Sequence, residues 1–127
     1  MPLTRDEILN ADDIQREVVP VPEWGGEVIV RGLTGVERDA WEIAISLENG
    51  KPNKNPRNVR AQLVARACVD AEGKKLFRPM DAELLGKKSG KALDRVYEVA
   101  AKLSGIRSED IEELAKNLPE DPSEDSG

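Results

Sequence analysis

Apolar positions in this chain follow two spacings, an alternating one near the N-terminus and a helical one over most of the remainder. Ahead of both, Thr4-Arg5-Asp6-Glu7 has the spacing of a capping box: the hydroxyl accepts from the third backbone N–H and the glutamate reaches back. A short helix carrying Ile8 and Leu9 is predicted to follow. Between Arg16 and Pro22 the β-branched Val18, Val19 and Val21 are interleaved with Pro20 and Pro22, which forbids helix and demands an extended path. The segment 27–33 is strand-like by the same propensity, and Gly25-Gly26 between them suits a hairpin turn. A loop of Gly25-Gly26 alone would ask Pro20 and Pro22 for N–H groups they lack. Widening the loop to 24–27 keeps pairs such as Val21 opposite Val30 but turns the missing donors outward, leaving a blunted edge. One face then carries Val19, Val21, Val28 and Val30, and the other Val18, Ile29 and Leu33. A hairpin apolar on both faces needs helices over at least one of them, and a face left bare is a surface for a partner.

The helical period begins directly after this hairpin. Thr34-Gly35-Val36-Glu37 repeats the capping-box spacing, and Val36, Ala40, Ile43, Ala44 and Leu47 recur at helical intervals, with Trp41 and Ile45 widening the stripe. Trp41 is expected in the core. Asn49-Gly50 is expected to stop the helix, and Lys51-Pro52-Asn53-Lys54-Asn55-Pro56 reads as an exposed loop. A helix over 57–69 places Val59, Leu63, Val64, Ala67 and Cys68 on one face, opposite Arg60, Gln62 and Arg66. Asp70-Ala71-Glu72-Gly73 makes a turn, Leu76 and Phe77 return to an apolar site, and Asp81 is expected to cap a short helix through Leu84 and Leu85. A longer helix over 89–104 carries Leu93, Val96, Tyr97, Ala100 and Leu103, stopped by Gly105. Ser108 caps a last helix over 109–118 with a narrow stripe of Ile111, Leu114, Ala115 and Leu118. The fold expected is therefore α+β and mostly α-helical, an N-terminal β-hairpin packed on a small bundle of about four to five helices. Residues 1–118 form its single domain and 119–127, with almost nothing to bury, a disordered acidic tail.

Composition adjusts this picture in two places. With 127 residues, 39% apolar, 3% aromatic and 35% charged, the core must be built from Val, Leu, Ile and Ala, as suits helices with wide polar faces. The net charge of −6 resides in the C-terminal segment, where residues 107–127 hold eight carboxylates against Arg107 and Lys116. Basic residues gather in the middle, but no aromatic platform is interleaved with them, so solvated helix faces are favoured over a nucleic-acid surface. No run of apolar residues is long enough for a membrane span and the N-terminus does not have the pattern of a signal peptide, which points to the cytoplasm.

Candidate chemistry is sparse. Histidine is absent and Cys68 is the sole cysteine, which removes Cys/His zinc sites and the commonest proton-transfer residue, so neither an enzyme nor a cofactor is expected. Asp12-Asp13, Glu109-Asp110 and Glu112-Glu113 lie at expected helix ends or exposed faces, without calcium-loop spacing. Gly25-Gly26 with Gly32 is no dinucleotide fingerprint, and Glu72-Gly73-Lys74-Lys75 lacks the upstream glycine of a phosphate loop. Cys68 on its apolar stripe reads as a small buried hydrophobe. What remains is protein–protein contact: Trp24 in a turn, Ile29 on the second hairpin face and the stripe of Ile111, Leu114 and Leu118 are the candidate partner-binding residues.

The order of parts has a family likeness. Leu3-Thr4-Arg5-Asp6-Glu7-Ile8-Leu9 is followed by Val21-Pro22-Glu23-Trp24-Gly25-Gly26 and a valine-rich strand ending Arg31-Gly32-Leu33-Thr34-Gly35. Leu63-Val64-Ala65-Arg66, Asp70-Ala71-Glu72-Gly73-Lys74-Lys75-Leu76-Phe77, Leu85-Gly86-Lys87-Lys88-Ser89 and Val96-Tyr97-Glu98-Val99-Ala100-Ala101-Lys102-Leu103-Ser104-Gly105 come after. Over residues 3–118 this set resembles the tail assembly chaperones of long-tailed, siphovirus-type bacteriophages and prophages. The resemblance implies a non-catalytic protein of the host bacterial cytoplasm, absent from the mature virion, that holds the tape measure protein soluble while tail tube protein assembles around it. It also implies partnership with a frameshift-extended form of the chain in many relatives, and self-association into a homo-oligomer is compatible with that role. The competing class is a structural virion component such as a head-to-tail connector protein.

Overall fold

The hairpin strands β1 (Arg16–Val21) and β2 (Gly26–Arg31) pair antiparallel, with Val19 opposite Val28 and Val21 opposite Gly26. The computed structural model describes residues 1–48, 51–52 and 58–107; the expectations for 109–118, 119–127 and the stop at Asn49-Gly50 lie outside the described residues. The turn differs from the expected one. Pro22–Trp24 form a 3₁₀ turn, closed where Gly25 takes φ 78° and donates its N–H to the Pro22 carbonyl at 3.0 Å. The loop is thus 22–25 rather than 24–27, and Val21 faces Gly26 rather than Val30. The fixed φ of Pro22 suits the first position of such a turn, and glycine supplies the left-handed residue that ends it. Because the register moves by an even number of residues, each side chain keeps its predicted face.

The proline argument survives this shift. Gly32 N–H donates to the Gln15 carbonyl at 3.0 Å, which makes that facing pair a hydrogen-bonded one. Alternation along the ladder then makes Pro20 and Glu27 a non-bonded pair, so the donor Pro20 lacks would have pointed away from β2. The strand β2 pairs on its other side with a short strand at Cys68–Val69, so β1 is an outer edge of the sheet, and Pro20 blunts it.

The helix α1 (Arg5–Asn10) has its capping box between Thr4 and Glu7 and buries no residue. The helix α2 (Gly35–Ser46) starts from the second box, with Thr34 Oγ1 accepting from Glu37 N–H at 3.2 Å. It ends at Ser46, short of the expected reach through Leu47: two-residue strands β3 (Leu47–Glu48) and β4 (Lys51–Pro52) pair antiparallel, so Leu47 leaves the helix and Lys51-Pro52, expected as loop, is strand. The helix α3 (Val59–Ala67) buries Ala61, Leu63, Val64, Ala65 and Ala67. It is shorter than expected, because β5 (Cys68–Val69) leaves helical geometry to pair with β2, Val69 opposite Ile29. Cys68 therefore sits on a strand, not on a helical stripe, yet it is fully buried, and that burial pushes its thiol up to about 12.

After the expected turn, Phe77 returns to the core while Leu76 stays exposed. A 3₁₀ turn (Pro79–Asp81) leads into α4 (Ala82–Leu85). Asp81 does not cap α4; its Oδ2 accepts instead from Arg78 N–H at 2.9 Å.

The helix α5 (Gly90–Ser104) is capped by Ser89 and buries Ala92, Leu93, Val96, Ala100 and Ala101. It crosses β1 and β2 and also packs on α3. Ion pairs from α5 to the sheet, Lys102 to Glu17 at 3.0 Å and Arg95 to Glu23 at 2.6 Å, flank the packed face. That face holds Val19, Val21 and Val30, which join Trp41, Ile45, Leu63, Val64 and Val96 in one core. Gly105, at φ 71°, closes α5 in a Schellman arrangement: Gly105 N–H donates to Lys102 O and Ile106 N–H to Ala101 O at 2.8 Å. Ile106 is thereby buried, so the chain leaves α5 from a fixed point.

Candidate protein-binding surfaces

The joint between sheet and α2 is built by Arg31-Gly32-Leu33-Thr34-Gly35. Arg31 forms a fork-to-fork pair with Glu37, at 3.0 and 2.8 Å, and also donates to the Gly32 carbonyl at 2.9 Å. Lys75 adds a second cation to Glu37, whose Oε1 also accepts from Thr34 N–H at 2.9 Å. Burial works against charge on Glu37, but the hydrogen bonds from Arg31 and Lys75 outweigh it and hold the carboxyl down at about 2. A carboxylate so placed is a structural anchor and holds no proton to donate at neutral pH. Gly32 is required by contact: a Cβ there would lie 2.5 Å from the Leu103 carbonyl oxygen, so α5 rests directly on the backbone. Leu33 N–H donates to Ser104 Oγ at 2.9 Å, tying the far end of α5 to the same joint.

The sheet has one covered face and one open face. On the open side Val18 is 52% exposed and stands directly opposite Ile29, which is half-buried and lies outside the core cluster. Leu33, expected beside them, is instead buried in the core, because the chain turns inward at Gly32. Trp24 is separated from Ile29. It is half-buried and packs against the core cluster from the hairpin turn, next to Glu23, which Arg95 of α5 grips at 2.6 and 2.9 Å. That grip lowers the Glu23 carboxyl to about 2. Ile111, Leu114 and Leu118 lie outside the described residues.

The main departure from expectation concerns α2. Of the broad stripe expected to face the core, Val36, Ala40 and Ile43 face outward, Val36 at 80% and Ile43 at 59% exposure, with Ala44 half-buried and Leu47 already past the helix end in β3. Trp41, buried as expected, and Ile45, the two residues that widened the stripe, carry the packing alone, at 2% and 0% exposure, and at about 100° per residue they lie on the side of the helix away from Val36 and Ile43. Two contacts fix this rotation. Glu37 is held by Arg31 and Lys75, and the Trp41 indole N–H donates to the Val59 carbonyl at 3.2 Å. The helix is consequently apolar on both sides, and sequence periodicity gave no means of choosing between them.

Beside the outward stripe runs a groove of about 210 Å³, bounded by the apolar Val36, Ala40, Ala65, Phe77 and Pro79 and edged by Glu37 with the cations Arg66 and Lys75. Arg66 is half-buried there, bonds Gln62 at 2.7 and 3.0 Å and feels the Glu37 carboxylate across the groove. A more polar hollow under the first strand is lined by Asp12, Ile14, Arg16, Arg31 and Thr34.

Among the described residues no three Cys, Asp or Glu side chains gather as metal ligands would, and no helix is long and apolar enough to cross a membrane. What the described surface offers is uncovered apolar side chains on α1, the open sheet face, α2 and the stretch from Leu76 through Met80 to Leu84 of α4. Such faces are the usual mark of protein–protein contact.

Comparison with known proteins gives this surface a context. No curated protein matches the chain. Among solved structures, the tail assembly chaperone of bacteriophage HK97 superposes with a TM-score of 0.56 at 19% identity, covering 77% of this chain and 94% of that one, and so shares the fold. The family model for phage tail assembly chaperones matches residues 4–117, nearly the whole chain. The chain belongs to the phage tail assembly chaperone family.

Proposed function

We propose that this protein holds the tape measure protein of a long-tailed phage soluble in the host cytoplasm while tail tube subunits assemble around it, acts without catalysis, and is absent from the finished particle. The observation that carries this reading is the uncovered apolar surface on a member of the tail assembly chaperone family. A holding chaperone needs accessible apolar side chains and contacts weak enough to be repeated along an extended client. The Val18 and Ile29 pair on the open sheet face is the surface assigned to that client, and Trp24, half-buried at the hairpin turn and apart from that pair, is assigned to it as a second contact. Partnership with a frameshift-extended form of the chain belongs to the same reading.

Co-expression with the tape measure gene of the same phage is the direct test. The client is expected in the soluble fraction only when this chain is present; equal insolubility with and without it sinks the reading. Mass spectrometry of purified particles addresses the connector alternative, since a structural component is retained in the virion and a chaperone is not.

A further inference from the structure

The hairpin ladder fixes which way each backbone group of β1 points. Gln15 and Gly32 form a bonded pair, so by alternation Glu17 with Val30 and Val19 with Val28 are bonded too. Between them Arg16 with Arg31, Val18 with Ile29 and Pro20 with Glu27 are non-bonded pairs. The N–H groups of Arg16 and Val18 and the carbonyls of Arg16, Val18 and Pro20 therefore point away from β2, along the outer edge of the sheet. We propose that this edge takes up an extended segment of the client protein as an added strand. Resting on the holding role proposed above, this assigns the grip to backbone hydrogen bonds, which any extended sequence supplies and which therefore repeat along a long client.

The edge is accessible. Among the described residues no hydrogen bond reaches these outward groups, and Arg16, Val18 and Pro20 are all exposed. The Arg16 side chain does not fold over them: its guanidinium reaches across the sheet to the turn at Gly73, lying 2.8 Å from where a Cβ there would be. The far side of the sheet is treated otherwise. There the Cys68 carbonyl accepts from Leu76 N–H at 3.1 Å and Val69 bridges Lys75, so the chain itself covers the outer groups of β5.

The edge also discriminates against a second copy of the chain. A two-fold antiparallel pairing of β1 with itself, in phase with the ladder, has a defect wherever it is centred. Centred on Arg16, it bonds within β1 only through Arg16, because the strand begins there. Centred on Glu17, it sets like carboxylates directly opposite each other. Centred on Val18 or beyond, it brings the Pro20 ring, which has no N–H, against a carbonyl that needs a donor. An extended segment of another protein escapes each defect. It fits best with an apolar residue opposite Val18, which is 52% exposed, and a non-acidic one opposite Glu17, whose charge Lys102 already meets at 3.0 Å. At its end an N–H of the segment donates to the Pro20 carbonyl.

Residue-resolved hydrogen exchange on the full chain, alone and co-purified with the tape measure protein of the same phage, tests this. In the free chain the Arg16 and Val18 amides are expected to exchange fast and those of Glu17 and Val19, bonded to β2, slowly. In the complex the Arg16 and Val18 amides are expected to slow at least about tenfold. Val18→Pro repeats the phase of Pro20 and keeps every bond to β2. It is expected to cut the yield of soluble tape measure protein at least about fivefold, whereas Val18→Thr, which keeps the N–H, retains most of it. Arg16→Pro, in the same phase, gives a second reading should Val18→Pro lower the unfolding midpoint. A wild-type chain that leaves the tape measure protein insoluble removes the holding role and strand addition with it. Wild-type solubilisation with the Arg16 and Val18 amides still fast in the complex, or with both proline variants as effective as Val18→Thr, overturns strand addition alone. Slow exchange of both amides already in the free chain means that the chain itself, or a second copy if the protection fades on dilution, covers the edge, and overturns it equally.

Discussion

Single residues carry the joint on which this fold depends. Gly32 admits the Leu103 carbonyl where no Cβ fits, so Gly32→Ala is expected to cost about 1–3 kcal/mol in urea unfolding. Gly35 has no neighbouring atom within 4 Å of its would-be Cβ, and Gly35→Ala is expected to be neutral or stabilising by up to about 1 kcal/mol. The contrast separates close packing from backbone effects in one motif. Glu37 provides the pH dependence. Its folded value of about 2 lies below its ordinary 4.5, so its contribution is complete above about 4.5 and is lost as pH falls from there towards 2. Glu37→Gln is therefore expected to lower stability at pH 7, by at most about 3 kcal/mol, and to flatten its loss on acidification below pH 4.5. Acid unfolding followed by circular dichroism measures both. The capping boxes at Thr4 and Thr34 were legible at this scale, because a cap is a contact between residues three apart. The Arg31 to Glu37 pair, by contrast, needs two elements to be placed first.

At the scale of elements, the helix α2 sets the clearest test. Of its broad sequence stripe only the Trp41 and Ile45 side is buried, so Trp41→Ala is expected to cost about 3–5 kcal/mol in thermal or urea unfolding, and Val36→Ser with Ile43→Ser each within about 0.5 kcal/mol. The reverse outcome would mean that the helix is rotated by half a turn. A helix with one apolar side, such as α5, gave its buried face from periodicity alone: Leu93, Val96 and Ala100 are all buried as expected. Strand β5 shows the other limit. Nothing local distinguishes Cys68 and Val69 from a continuing helix; the unpaired edge of β2 does. The hairpin loop moved for a local reason, since Pro22 and Gly25 together prefer a 3₁₀ turn to a wider loop around Gly25-Gly26.

For the whole molecule the question is which apolar surface serves a partner. Val18 is exposed and off the core, so Val18→Lys is expected to leave the unfolding midpoint unchanged and to lower the yield of soluble tape measure protein on co-expression. An unchanged yield would move the client site away from the sheet. By itself the sequence determined the N-terminal hairpin and the succession of helices α1 to α5, the caps at Thr4, Thr34 and Ser89, which hairpin residues share a face and the buried stripe of α5, because each follows from spacing within one segment. Its ordered motifs also carried the family likeness that the family model bears out over residues 4–117. Only the tertiary structure decided the rotation of α2, the capture of 68–69 by the sheet, the parting of Trp24 from Ile29 and the burial of Leu33. Those outcomes depend on contacts between segments far apart in the chain, where several apolar faces compete for one core and the best-packed combination wins.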